Sequence, residues 1–157
     1  MDLVIRGGSI ADGTGKTPIF SGNVGICEGR IVVITQEELI GKISIDARGL
    51  IVAPGFIDVH SHGDFLPLLG EEYRYSRIRQ GITTELGGQC GIGALPYFPE
   101  KMEAYRGYTT PVLGEPSEGW NFTDLDSYAQ CIQGKMPHNL ALLIGLGALR
   151  SGISGLD

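Results

Sequence analysis

Between Pro54 and Gly55 the patterning of this chain changes, and that change restricts the folds open to it more than any single motif does. Residues 1 to about 54 read as β. Val24 and Ile26 alternate with Asn23 and Gly25, and Glu28-Gly29-Arg30 turns the chain into Ile31-Val32-Val33-Ile34, a hairpin signal. A further short strand, Lys42 to Ala47, precedes a turn at Gly49. From Gly55 onward strand and helix alternate. Ile57 to His60 predicts a strand, Tyr73 to Gln80 a charged amphipathic helix stopped by Gly81, and Ile82 to Leu86 a strand rich in β-branched residues. Thr123 caps a predicted helix in which Leu125, Tyr128, Ala129 and Ile132 recur at helical spacing, with Gly134 as its stop. Asn139 to Ile144 then reads as a buried parallel strand. The expected class is α/β: a β part over residues 1–54, then about three βα units over residues 55–157, joined by right-handed crossovers.

Charge narrows the partners. A net charge of -6 with lysines and arginines scattered along the chain argues against nucleic acid or an anionic membrane, since both need a basic patch. A small molecule is the expected partner, with association into a homo-oligomer left open. No charged stretch leads into an apolar one at the start, and no apolar run approaches the roughly 18 to 20 residues that cross a bilayer, so a cytoplasmic location is expected. Three cysteines far apart in sequence make a poor disulfide framework and suit a reducing compartment. The sequon Asn121-Phe122-Thr123 carries no meaning without a secretion signal. Glycine is abundant, 25 residues, many at strand-to-loop junctions, which fits short turns and close backbone approaches.

The chemistry concentrates in Ala53-Pro54-Gly55-Phe56-Ile57-Asp58-Val59-His60-Ser61-His62. On a strand His60 and His62 project from one face roughly 7 Å apart, near enough for both imidazoles to hold one metal ion. By spacing alone they are equally a pair of satisfied polar histidines at a strand end. Cys90 follows the next strand; as a thiolate it is a strong zinc ligand, and otherwise a buried, inert cysteine. Asp58 shares the face of His60 and serves to orient a histidine or a neighbouring strand, or plainly to make a structural hydrogen bond. Asp64 stands at the rim, supporting a ligand or facing substrate. His138 precedes a strand and so belongs to a loop at the opposite end from the histidine pair. Cys27 and Cys131 read as packing residues.

Pro54-Gly55-Phe56-Ile57-Asp58-Val59-His60-Ser61-His62 resembles the signature of the amidohydrolase superfamily, in which this strand opens a TIM barrel and its histidines bind the catalytic metal. Gln80-Gly81-Ile82-Thr83-Thr84-Glu85-Leu86-Gly87-Gly88-Gln89-Cys90-Gly91-Ile92-Gly93 is similar to the second barrel strand of the N-acyl-D-amino-acid deacylases, or D-aminoacylases. In that branch a cysteine at the position of Cys90 ligates the metal, where dihydroorotases and hydantoinases use a carboxylated lysine. The resemblance implies a TIM-type (β/α)8 barrel preceded by part of a small β-sandwich. It also implies one or two zinc ions held in part by His60, His62 and Cys90, and hydrolysis of N-acyl-D-amino acids. The alternatives are another amidohydrolase activity, such as that of a dihydroorotase or cyclic-amide hydrolase, or a catalytically silent structural domain. A full barrel takes about 250 residues, against 157 here. The chain is therefore expected to be the N-terminal portion of a longer enzyme, with the proton-shuttling aspartate on a later strand and no catalytic acid or base within these residues.

Two further motifs fail on inspection. Gly13-Thr14-Gly15-Lys16-Thr17 imitates a phosphate loop but has Ile10 where the first glycine is required, and reads as a turn. Gly145-Leu146-Gly147-Ala148-Leu149-Arg150 imitates a dinucleotide fingerprint with Arg150 at its third glycine position. There the deacylase pattern usually has Gly-His-Gly, so Leu146 bears on acyl or amino-acid preference.

Overall fold

The computed structural model describes residues 1–116, 120 and 122–156; Asn121, which opens the sequon, and the terminal Asp157 lie outside the described residues. The chain divides into two compact units, Met1–Pro54 and Gly55–Asp157.

The first unit is one mixed sheet of β1 (Leu3–Ile10), β2 (Phe20–Cys27), β3 (Arg30–Thr35), β4 (Ile43–Asp46) and β5 (Ile51–Val52). Its order is β3-β2-β1-β4, with β5 also on β1. The β2–β3 hairpin turns at Glu28 and Gly29, both at positive φ (49° and 72°), the twist that closes a two-residue hairpin without splaying its strands. Val4, Ile10 and Val24 form its buried side. Asp12 caps the glycine-rich segment that follows β1: its Oδ1 accepts the Thr14 amide at 2.9 Å, so Gly13 to Thr17 is an Asx-type turn.

The second unit holds a parallel sheet, β6 (Phe56–Asp58), β7 (Ile82–Gly87) and β8 (Asn139–Leu142), in sequence order. Its main helices are α1 (Met102–Leu113), α2 (Leu125–Ile132) and α3 (Leu146–Ser154). Phe65, Leu68, Leu95, Tyr105, Leu113, Trp120, Phe122 and Tyr128 build the core, in which Phe65 and Trp120 meet edge-on at 4.4 Å between centroids. Cys131 packs against that core from α2. Among the described residues no helix is long and apolar enough to cross a membrane.

Several expected boundaries move, each for a physical reason. β6 ends at Asp58 rather than His60, because the Asp58 carboxylate takes the His60 amide at 3.1 Å and so competes with the sheet ladder. The expected helix over Tyr73–Gln80 is instead one helical turn, Glu71–Arg74, and a 3₁₀ turn, Ile78–Gln80. No residue of Glu71–Arg74 is buried, and a helix without a packed face has little to sustain it. Gly81 does end this segment, at φ 81°. The cap of α2 is Asp124, not Thr123: Asp124 and Ser127 form a reciprocal capping box, the Ser127 amide donating to Asp124 at 2.8 Å. β8 is parallel as expected but not buried, its residues being exposed or half-exposed. It stops at Leu142, although the Leu143 amide still reaches the Gly87 carbonyl at 3.1 Å.

Candidate metal centre

β6 and β7 are parallel, so their C-terminal ends open on the same rim. His60 and His62 lie just past β6, and Cys90 lies in the 3₁₀ turn Gln89–Gly91 that follows β7. One nitrogen of each imidazole and the Cys90 sulfur all lie within 4.8 Å of one another. His60 Nε2 is 3.3 Å from Cys90 Sγ, and the two imidazole rings meet edge-on at 5.9 Å between centroids. The strand-face argument for the histidine pair thus gives way to a bend: both side chains stand beyond the strand, and the turn of the chain, not strand alternation, brings them together.

Cys90 adopts φ 56°, ψ 20°, a left-handed conformation that costs a non-glycine residue roughly 1–2 kcal/mol. It is held there by its neighbours. Gln89 Nε2 donates to the Val59 carbonyl at 2.9 Å, tying the turn to the residue before His60. Asp64, fully buried, accepts the amides of Gly88 and Ala94, each at 3.1 Å, and its own carbonyl accepts the Tyr128 hydroxyl. Burial pushes the Asp64 carboxyl up, and these two amides only partly restore it. Asp64 is therefore not a rim residue open to substrate; it suspends the Cys90 loop. Asp58 makes the plain structural hydrogen bond already described.

Glycine lets α3 approach this loop. A Cβ at Gly145 would fall 2.6 Å from the Gly91 carbonyl oxygen, and one at Gly147 would fall 2.7 Å from it. The Gly145-Leu146-Gly147 pattern is thus a packing device beneath Cys90, while Leu146 itself is exposed.

His138 lies in the bend that precedes β8, the loop position expected of it, yet its side chain is covered. It is buried, and its Nε2 stands 2.7 Å from Glu85 Oε1; it takes no part in the histidine–cysteine cluster. Glu85, which sequence reasoning passed over, is fully buried on β7 and also accepts from Ser61 Oγ at 2.5 Å and Arg77 Nε at 3.0 Å. Burial pushes its carboxyl up, but the three donors outweigh burial and hold it below the usual carboxylate range. The available signal was one acidic residue inside the strand sequence Thr83-Thr84-Glu85-Leu86.

Two imidazoles and a thiol are the donor types that zinc selects. His62 Nδ1 is buried without a hydrogen-bond partner in the protein, a state that is costly unless an ion or water meets the ring. The residues fit a zinc ion.

The profile of the amidohydrolase family matches residues 44–132. The N-acyl-D-glutamate deacylase of Alcaligenes xylosoxydans xylosoxydans is 36% identical over 154 residues, 96% of this chain and 30% of that protein. The crystal structure of N-acyl-D-glutamate deacylase from Bordetella bronchiseptica, complexed with zinc and a phosphonate that mimics the tetrahedral intermediate, has a TM-score of 0.70 at 34% identity. That match covers 95% of this chain and 30% of the deacylase. A D-aminoacylase structure bearing on the role of its binuclear metal centre gives a TM-score of 0.80 at 28% identity, over 99% of this chain and 32% of that one. The chain spans about three tenths of the length of these relatives.

Proposed function

This chain belongs to the amidohydrolase family, and we propose that in a protein of its relatives' length it supplies part of a zinc site that hydrolyses the amide bond of N-acyl-D-amino acids. Its fold is α/β, the opening strands of a TIM-type barrel preceded by part of a β-sandwich. Residues 1–54 are the sandwich part in this assignment and residues 55–157 the first βα units.

The convergence of His60, His62 and Cys90 carries the proposal. His60 and His62 hold the ion through ring nitrogens, and Cys90 through its sulfur. A second ion fits the same reading. A cysteine in this place, rather than a modified lysine, favours linear N-acyl amino acids over the cyclic amides of the dihydroorotase branch. Bound zinc supplies Lewis-acid polarisation of the amide carbonyl and acidifies water at neutral pH. The chain's own residues orient the site: Asp58 fixes the His60 amide, and Gln89 and Asp64 hold the Cys90 turn. His60 and Cys90 are exposed, which leaves a small-molecule substrate free to approach.

No carboxylate joins the described ligand cluster. The 157-residue chain with zinc is therefore expected to show no deacylase turnover above a zinc blank, since loss of general acid/base catalysis alone costs about 10² to 10⁴ in rate. The direct test exchanges this segment for the matching part of the N-acyl-D-glutamate deacylase and assays the chimera with zinc on N-acetyl-D-amino acids and their L isomers. Turnover of the D isomers, lost in Cys90→Ala, is expected. A folded, zinc-loaded chimera that turns over none of them contradicts the proposal.

A further inference from the structure

Ser61 sits between the two histidines yet points away from them in environment: His60 is exposed, Ser61 is 3% exposed, and His62 is half-buried. Its hydroxyl donates to Glu85 Oε2 at 2.5 Å and accepts the Gly63 amide at 3.0 Å, which folds the chain tightly just after His62. Its own amide donates to the Leu86 carbonyl at 3.1 Å, so the segment is held to β7 past the end of β6. Glu85 is itself immobilised by Arg77 and His138. A Cβ at Gly63 would fall 2.5 Å from both Glu85 oxygens, so the backbone lies directly on the carboxylate.

Serine, acid and histidine in one buried network invite comparison with a hydrolytic triad, but the connectivity excludes it. Ser61 bonds the carboxylate and not the imidazole, so the imidazole cannot take its proton. The carboxylate that faces it is a weak base already shared with Arg77 and His138, and the hydroxyl is closed to solvent. The network instead grips the ligand segment from below.

We propose that Glu85, acting through Ser61, is a positioning residue for the metal ligands: the buried carboxylate fixes how His60 and His62 are presented to Cys90 and thereby sets the affinity of the site for zinc. The proposal rests on the zinc reading of the three ligands and adds to it the residues that tune them. A hydroxyl held at 2.5 Å, between two ligands, admits little rotation of the backbone that carries both rings. Without that tether the segment keeps its amide bond to Leu86, the Gln89 bond to Val59 and the Asp64 anchors. The residue between the two ligands, however, is no longer fixed to the buried carboxylate, and their preset spacing loosens.

The test is zinc affinity, measured on metal-free protein by competition with a chromophoric chelator, beside melting of the same metal-free samples. Ser61→Ala removes the tether while leaving Glu85 its Arg77 and His138 partners, and Glu85→Gln removes the charge that organises all three. Asp124→Ala, which breaks the cap of α2 far along the chain from the network, is the control for general loss of stability. Ser61→Ala is expected to bind zinc about 10- to 100-fold more weakly than the parent, whereas Asp124→Ala keeps the parent affinity despite a lower melting temperature. A shifted sulfur-to-metal absorption band in cobalt-loaded Ser61→Ala would show the altered ligand geometry directly. Folded Ser61→Ala that binds zinc within twofold of the parent overturns this inference alone. A parent protein that takes up no zinc overturns the zinc reading as well.

Discussion

Asp64 and Gly88 lie 24 residues apart in sequence, yet the Asp64 carboxylate accepts the Gly88 amide at 3.1 Å with both groups buried. The second carboxylate oxygen takes the Ala94 amide. One side chain thus closes both ends of the loop that carries Cys90.

Asp64→Asn keeps one acceptor and turns an NH₂ group toward the other amide, leaving a buried donor unmatched. We expect a loss of about 1–3 kcal/mol, read as a lower urea midpoint. An unchanged midpoint would show that the loop is held by other contacts.

Two glycines give opposite outcomes. Gly145→Ala drives a methyl group to 2.6 Å from backbone at Gly91, an obstacle no side-chain rotation relieves, and should cost about 1–3 kcal/mol. Gly107→Ala, within α1 and with nothing within 4 Å of its added carbon, should stabilise by about 0.5–1 kcal/mol. Thermal melts of the two variants check both signs, and the close-packing account fails if Gly145→Ala melts with or above the parent.

Glu85 gives the protein an acid limb. In the fold its carboxyl lies below the usual value of 4.5, held there against burial by Ser61, His138 and Arg77. The ionised form is therefore the one that stabilises the fold. Its contribution is full above about pH 4.5 and is lost as pH falls through the folded value. Glu85→Gln should flatten the decline in stability on acidification and cost about 3 kcal/mol at neutral pH, where Arg77 and His138 lose their buried acceptor. Urea midpoints from pH 7 down to 3 test this; parallel curves for parent and variant would contradict it.

What sequence made legible was local or chemically marked. His60, His62 and Cys90 stood out through the resemblance of the two segments that carry them to amidohydrolase motifs, since spacing and residue type alone left them undecided. Gly81 stood out because only glycine readily takes the left-handed end of a helical turn. Glu85 did not stand out, since its partners lie 24, 8 and 53 residues away at Ser61, Arg77 and His138. The same distance hid the partner of His138: its place before a strand gave the loop but not the buried carboxylate that it meets. α1 was obscured by Gly107 and Pro111, which weaken helical propensity; burial of Tyr105, Thr109 and Leu113 along one side supports it instead. The β6 boundary moved because one side chain, Asp58, outcompeted the ladder.

The central claim is that His60, His62 and Cys90 form one metal site, and cobalt substitution tests it most directly. Metal-free protein titrated with Co²⁺ should develop a sulfur-to-cobalt charge-transfer band that saturates with the metal and is displaced by Zn²⁺. Cys90→Ala should abolish the band, and His60→Ala or His62→Ala should weaken binding by tenfold or more, about 1.4 kcal/mol for each factor of ten. A parent protein that binds cobalt without the band, or a band that survives in Cys90→Ala, would contradict the account.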